Sequence, residues 1–321
     1  MLIHELLFAD DAALTSHSGE CLQHQVDKPS TTCGEFGQTI SVKMTYVMAQ
    51  SAESPPSITI EDTQLEVVDA FTYLGSTVTS STSFDAEVNS RIVKATGVMA
   101  KLNKRVWDNS LLSERTKVCV YQACFLSTLL YGSESWSTYA GQERRLNRLQ
   151  LRSLRRLLRI KWQDQVPDTE VLPRADLLRI PSLLIQRRLR WLGHVHRMVP
   201  QRLPRGILYG ELHDGAHRAG RPLLRLKDTI KRDLEAANID ATIWEDTAVD
   251  VNTWRHSVKA GASRADEDGR VQAILKRAAR KQHAVSARAP STYVCANYVR
   301  DCHSRIGLHS HARSCPARPV C

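Results

Sequence analysis

Between Glu143 and Ile160, leucine and arginine recur with the period of an α-helix. At ~100° per residue, Leu146, Leu149, Leu154, Leu157, Leu158 and Ile160 fall on one side, and Arg144, Arg145, Arg148, Arg152, Arg155, Arg156 and Arg159 on the other. The two-residue period of a strand would scatter both sets over both faces. The segment is therefore readable only as a helix with leucines on a core and arginines in water. The same period recurs from Phe84 onward, where Val88, Ile92, Val93, Ala95 and Met99 share a face and Ser83 or Asp85 is placed to cap. It recurs again over 111–131, ending at Gly132, over 183–198, and over Leu224–Ala237 behind the breaker Gly220-Arg221-Pro222. Residues 260–290, rich in Ala, Lys and Arg, read as a linker or a marginal helix.

The first 85 residues have a different texture. Leu6-Leu7-Phe8-Ala9 and Ala12-Ala13-Leu14 flank Asp10-Asp11 and predict a β-hairpin. A helix over Cys21–Phe36, interrupted by Pro29, leads through Gly37 to a strand at Thr39-Ile40-Ser41-Val42. Further short strands are predicted at Ile58-Thr59-Ile60 and Phe71-Thr72-Tyr73-Leu74-Gly75. The expected fold class is α+β: a small β-rich part over 1–85, helical parts over 86–165 and 166–259, a basic linker over 260–290 and a small tail over 291–321.

Charge divides along the same line. Residues 1–90 carry 13 Asp and Glu against Lys28 and Lys43, a net of −11, whereas residues 91–321 carry a net of +21. A basic block of that size suits a polyanion, and in the Glu143–Ile160 helix Glu143 is the one acidic residue beside seven arginines. The amino terminus has neither the basic n-region nor the long apolar run of a secretory signal, and no stretch of ~20 apolar residues is present. The expectation is an intracellular protein, nuclear or cytoplasmic, without a membrane partner. Cys21, Cys33, Cys119 and Cys124 read as reduced core thiols. Cys295, Cys302, Cys315 and Cys321 crowd the last 27 residues with His303, His309 and His311, a pattern that favours metal over disulfides. His194 and His196, two apart on a helix, point to different faces and form no joint ligand pair, and Trp191 beside them reads as a core anchor.

Adjacent carboxylates at a hairpin tip repel each other, so Asp10-Asp11 is either a solvated turn or a cation site. Its neighbours favour the second. Glu5-Leu6-Leu7-Phe8-Ala9-Asp10-Asp11 resembles motif C of the reverse transcriptases of non-LTR (LINE-type) retrotransposons. Phe36-Gly37-Gln38-Thr39-Ile40-Ser41-Val42-Lys43 resembles their motif D, and Phe71-Thr72-Tyr73-Leu74-Gly75 their primer grip. Leu130-Tyr131-Gly132-Ser133-Glu134-Ser135-Trp136, then Arg190-Trp191-Leu192-Gly193-His194-Val195-His196-Arg197-Met198, and then Gly220-Arg221-Pro222 are similar to the thumb and following region of the same elements, in the same order.

This resemblance implies a palm remnant, a helical thumb and connector, and a zinc-finger-like tail. It implies a parent activity of RNA-directed DNA polymerisation with two Mg²⁺ ions, held in part by Asp10 and Asp11. Lys43 takes the place of a general acid toward pyrophosphate, although Met44 stands where the family usually has a basic residue. In the family a further metal-binding Asp and the fingers lie upstream of motif C, so the chain is expected to be inactive alone unless an upstream reverse-transcriptase segment is supplied. The resemblance also sets Cys295, His311 and Cys315 in a Cys-x2-Cys…His-x3-Cys zinc pattern. Tyr298 occupies the second Cys position and Val299 an expected Gly; Cys302, or His303, is the substitute fourth Zn²⁺ ligand, and a decayed, metal-free tail is the competing reading. Arg145, Arg148, Arg152, Arg155, Arg156 and Arg159 are the candidate contacts to RNA or DNA phosphates. At this level two readings stand: a truncated reverse transcriptase, or a non-enzymatic nucleic-acid-binding fragment or pseudogene product.

Overall fold

The computed structural model describes residues 4–50, 54–210, 224–286, 293–295, 302 and 304–315. The chain divides into two compact units, Met1–Asp266 and Glu267–Cys321. The fold is α+β with helix predominant, and among the described residues no helix is long and apolar enough to cross a membrane. Gly220-Arg221-Pro222 lies outside the described residues.

The first unit opens with the predicted hairpin. Strands β1 (Glu5–Phe8) and β2 (Asp11–Leu14) pair antiparallel with Phe8 opposite Asp11, which leaves Ala9-Asp10 as a two-residue turn. Such a turn requires left-handed backbone, and Ala9 supplies it at φ 52°. Helix α1 (Gly19–Glu35) is capped by the Ser18 hydroxyl, which accepts from the Cys21 N–H at 3.3 Å. It runs straight through Pro29, contrary to the expected interruption. Pro29 lies on the exposed face, and the Thr31 and Thr32 hydroxyls bond back to the Asp27 and Lys28 carbonyls within the same turn.

The strand expected at Thr39–Val42 does not form. Val42–Met44 is a 3-10 turn, closed by the Met44 N–H and the Thr45 hydroxyl, both donating to the Ser41 carbonyl. These local bonds satisfy a backbone that has no neighbouring strand. Strands β3 (Tyr46–Val47), β4 (Thr59–Ile60), β5 (Thr63–Gln64), β6 (Glu66–Val67), β7 (Ala70–Tyr73) and β8 (Ser76–Thr79) then form three further ladders. Of these β3–β6 is parallel, while β4–β5 and β7–β8 are hairpins. A small core of Val26, Val47, Ile58, Ile60 and Leu65 holds this part together, with Leu14, Leu22, Ile40 and Val42 packed against it.

Helix α2 (Asp85–Lys101) starts where predicted, but Phe84 rather than Ser83 or Asp85 holds the N-cap, without a side-chain cap bond; the Ser83 hydroxyl accepts from the Asp85 N–H. Its buried pair Glu87–Arg91 (2.7 Å) reaches back to the β7–β8 turn. Glu87 accepts from the Thr77 N–H, and Arg91 donates to the Gly75 carbonyl at 2.6 Å. Helices α3 (Glu114–Val120) and α4 (Ser127–Leu129) are joined by a π-helical turn over Tyr121–Leu126 and end before Gly132, whose φ of 71° a side chain would strain. With α5 (Ala140–Leu157), α6 (Asp168–Arg174) and the first half of α7 (Ile180–His196) they enclose a second core, including Val88, Tyr121, Phe125, Leu129, Trp136, Leu146, Leu154, Leu157 and Leu184.

A third core begins one residue later on the same helix, with Ile185, Leu189, Leu192 and Val195. It takes in residues of α8 (Leu203–Tyr209), α9 (Leu226–Ala236), α10 (Trp244–Val249) and the start of α11 (Val251–Ser286). Here the Trp191-Leu192-Gly193 run acquires a physical reason. A Cβ on Gly193 would lie 2.1 Å from the Trp254 ring nitrogen, which donates to the Leu189 carbonyl at 2.9 Å. Only glycine lets the two helices approach this closely. Trp191 itself is half-buried and packs on this core. The residues expected as a linker from 260 are helical as far as Ser286. Their Ala, Arg and Lys content favours helix, and the Trp254, Val258 and Ala262 turns anchor the amino-terminal end.

In the second unit, α12 (Arg305–Ser314) is capped by Ser304, whose hydroxyl accepts from the Gly307 N–H at 3.0 Å. Among the cysteines outside that unit, Cys21 and Cys119 are exposed and Cys33 and Cys124 half-buried, so they are thiols at or near the surface rather than core residues.

Candidate nucleic-acid interface and metal centre

Helix α5 divides its arginines between two jobs. Its core side is set by Leu146, Leu151, Leu154 and Leu157, all buried. The arginines at the edges of the helix are engaged by neighbours. Arg145 pairs with Asp85 at 3.2 Å and also bonds the Asn89 side chain. Arg155 donates to the Val166 carbonyl at 2.8 Å and to Asp168 at 2.6 Å. Arg156 is exposed but donates to the Asn103 side chain at 2.5 Å. Glu143, the acidic residue of the stripe, accepts from Thr138 and faces Arg232 at 3.7 Å.

What remains in water is a row. Arg144, Arg148, Arg152 and Arg156 repeat at i, i+4 and are all exposed, and Arg159 follows just past the helix end. At ~1.5 Å per residue the row spans about 18 Å. Among the described residues, Arg148, Arg152 and Arg159 make no ion pair or side-chain hydrogen bond. Their charges have no ion-pair partner among the described residues, while Asp85 and Asp168 are engaged by Arg145 and Arg155. Of the six arginines singled out in the sequence, three are free to bind phosphate and three are tied into the fold.

Trp162 is a surface feature that no sequence pattern singled out. It sits in a 3-10 turn (Trp162–Asp164) after α5 and is 85% exposed, between the exposed residues Lys161 and Gln163. Its immediate flanks, a single Lys and then polar residues, were the available signal.

Asp10 and Asp11 lie at the hairpin tip, both exposed, and Lys43 is exposed in the Val42–Met44 turn. The hairpin is tied to β7 by the Tyr73 hydroxyl, which donates to the Leu6 carbonyl at 3.1 Å. Among the described residues no third His, Cys, Asp or Glu joins the two aspartates in a ligand cluster. A pair of solvated carboxylates is an incomplete site for two Mg²⁺ ions, so the residues present do not fit that group.

In the second unit Cys295, His311 and Cys315 do converge, with their ligand atoms all within 4.8 Å of one another. His311 lies in the last turn of α12 and Cys315 caps it, and the i, i+4 spacing puts both on one face. Cys295 is buried, and its Sγ is 3.6 Å from the Cys315 Sγ. Two sulfurs of a tetrahedral zinc site, each ~2.3 Å from the metal, stand about 3.8 Å apart, whereas a disulfide brings them to ~2.05 Å. The spacing therefore fits shared metal ligation. Cys302 is not part of the group. Its N–H donates to the Tyr293 carbonyl at 2.9 Å and its own carbonyl accepts from the Ser304 N–H at 2.7 Å. Three of the four expected ligands assemble and the fourth does not. Tyr298, Val299 and His303 lie outside the described residues. A bound Zn²⁺ would cross-link α12 to Cys295 and contribute folding free energy to the tail.

A 290–321 peptide titrated with Co²⁺ is expected to develop the visible absorption of tetrahedral thiolate ligation. The band should disappear in Cys315→Ser and persist in Cys302→Ser. A band that Cys315→Ser leaves intact, or no band at all, would remove the site.

No family model matches the chain, and no solved structure matches it. It is similar to a transposon-derived protein of Caenorhabditis elegans, 24% identical over 262 residues that cover 78% of this chain and 92% of that protein.

Proposed function

We propose that the chain is a nucleic-acid-binding protein of transposable-element origin, derived from a non-LTR retrotransposon reverse transcriptase, that grips RNA or DNA through phosphates and does not polymerise by itself. The observation that carries the binding function is the row of exposed, uncompensated arginines on α5. Phosphate contacts of this kind give affinity and position without reading sequence. A second run of exposed cations, Lys276, Arg277, Arg280 and Lys281 on α11, belongs to the same basic character. The transposon relationship of the C. elegans relative supports the origin, as does the ordered series of segments resembling motif C, motif D, the primer grip and the thumb.

What supports the lack of polymerisation is the solvated Asp10-Asp11 pair, which has no third ligand among the described residues. With Mg²⁺, dNTPs and a primed template, the isolated chain is expected to give no extended product. Extension that Asp10→Ala abolishes would overturn that part of the proposal. Binding is tested by competition: unlabelled RNA or DNA oligomers of equal length and unrelated sequence should displace a labelled one equally well. A hundredfold preference for one sequence would show base-edge readout and contradict a phosphate grip.

A further inference from the structure

Trp162 is the anomaly of the molecule. Of the six tryptophans, Trp107, Trp136 and Trp254 are buried to 2% exposure or less, Trp191 and Trp244 are half-buried, and Trp162 is 85% exposed. Leaving an indole in water forfeits one of the largest burial gains a side chain offers. A floppy loop would explain that, but this loop is fastened at both ends. Arg159 and Gln165 bracket it in left-handed backbone, at φ 54° and 50°. The Lys161 N–H donates to the Asp164 carboxylate at 2.7 Å, closing the turn that carries the indole. Arg155 holds the loop's far end to the last turn of α5 through the Val166 carbonyl and Asp168. The structure thus commits an arginine of the basic stripe, and two strained non-glycine residues, to presenting an indole outward. Arg159 and Lys161 precede it by three residues and one in the chain, and both are exposed.

We infer that Trp162 is a stacking platform for an unpaired base, so that the basic face of α5 takes single-stranded RNA or DNA in preference to duplex. This rests on the phosphate-binding reading of α5. Exposed cations close in the chain to an outward aromatic ring are complementary to the two things a single strand offers together, phosphate charge and an open π-face. In a duplex the base faces are stacked on one another and closed to the indole. Asp164, the nearest negative charge in sequence, is turned to the Lys161 N–H and satisfied there.

The test uses the full chain and three labelled 20-nucleotide DNA probes: a single strand, the same sequence as a duplex, and a single strand of abasic sites. Trp162→Ala should weaken the intact single strand by about ten- to a hundredfold. The duplex and abasic probes should change by less than about twofold, and Trp162→Phe should recover most of the loss. An indole this exposed makes little contribution to folding, and an unchanged thermal melt of each variant verifies that. If all three probes bind and none responds to Trp162→Ala, or all respond equally, the stacking inference fails while the phosphate grip stands. If no probe binds the wild-type chain, the phosphate grip fails and the inference with it. Trp162 becoming shielded from acrylamide through self-association, without nucleic acid, would also overturn it.

Discussion

Replacing Asp233 by alanine is expected to cost about 3–5 kcal/mol of stability, the typical penalty for breaking a buried ion pair from one side. Arg188 and Asp233 are 1% and 2% exposed and form a two-pronged pair, with Nε to Oδ2 at 2.5 Å and Nη2 to Oδ1 at 2.9 Å. The pair joins α7 to α9, and its guanidinium also reaches the buried Thr138 hydroxyl. Removing the carboxylate leaves a buried guanidinium without its ion-pair partner. The loss should appear as a fall in Tm of roughly 10 °C, measured by circular dichroism. The double replacement Arg188→Met with Asp233→Leu should recover most of it, because two apolar groups leave nothing unpaired. A single variant that melts with the wild type would show that the pair is not closed to solvent.

Neutralising Arg148, Arg152 and Arg159 together to glutamine is expected to reduce affinity for a nucleic-acid strand by on the order of 10²–10³ at 50–100 mM salt. It should also flatten the log–log salt slope by up to ~2.7, about 0.9 for each duplex phosphate no longer neutralised and somewhat less on a single strand. These three make no ion pair or side-chain hydrogen bond among the described residues, so their replacement should leave the melt unchanged. Arg145→Gln and Arg155→Gln should behave in the opposite way, with lowered stability and a smaller effect on the slope, because their charges are engaged by Asp85 and Asp168. Equal effects from both sets would show that α5 offers only a general positive field.

Period carried most of what the sequence revealed of the fold. Where apolar residues recurred at helical spacing over three turns or more, as in α2, α5 and α7, the helices stand where they were expected. The misreadings have local causes. Thr39–Val42 is too short for alternation to mean a strand, and its Ser41 and Val42 carbonyls accept from the Met44 and Thr45 N–H groups of a local turn. Pro29 spares its helix because it lies on the open face. The metal ligands were legible as residue types and spacing. The separation of the Cys302 sulfur from the other three was not, because it depends on where the fold carries each side chain, which no spacing rule encodes. The division of the arginine stripe was equally hidden. Which guanidiniums meet carboxylates depends on where Asp85 and Asp168 are carried by other elements, and helical phase alone makes all seven look alike. Trp162 lies outside any periodic run, and its exposure is a property of the turn rather than of the pattern.

The most direct measurement of the central claim is the affinity of the unmodified chain for a fluorescent 20-nucleotide strand, by anisotropy, from 50 to 300 mM salt. A phosphate grip using at least Arg148, Arg152 and Arg159 predicts that log Kd rises linearly with log salt, with a slope of about 2 or more for a single strand. The slope should be the same for oligomers of unrelated mixed sequence. A slope near zero, or no binding at 50 mM, would contradict the proposal that this basic face exists to hold nucleic acid.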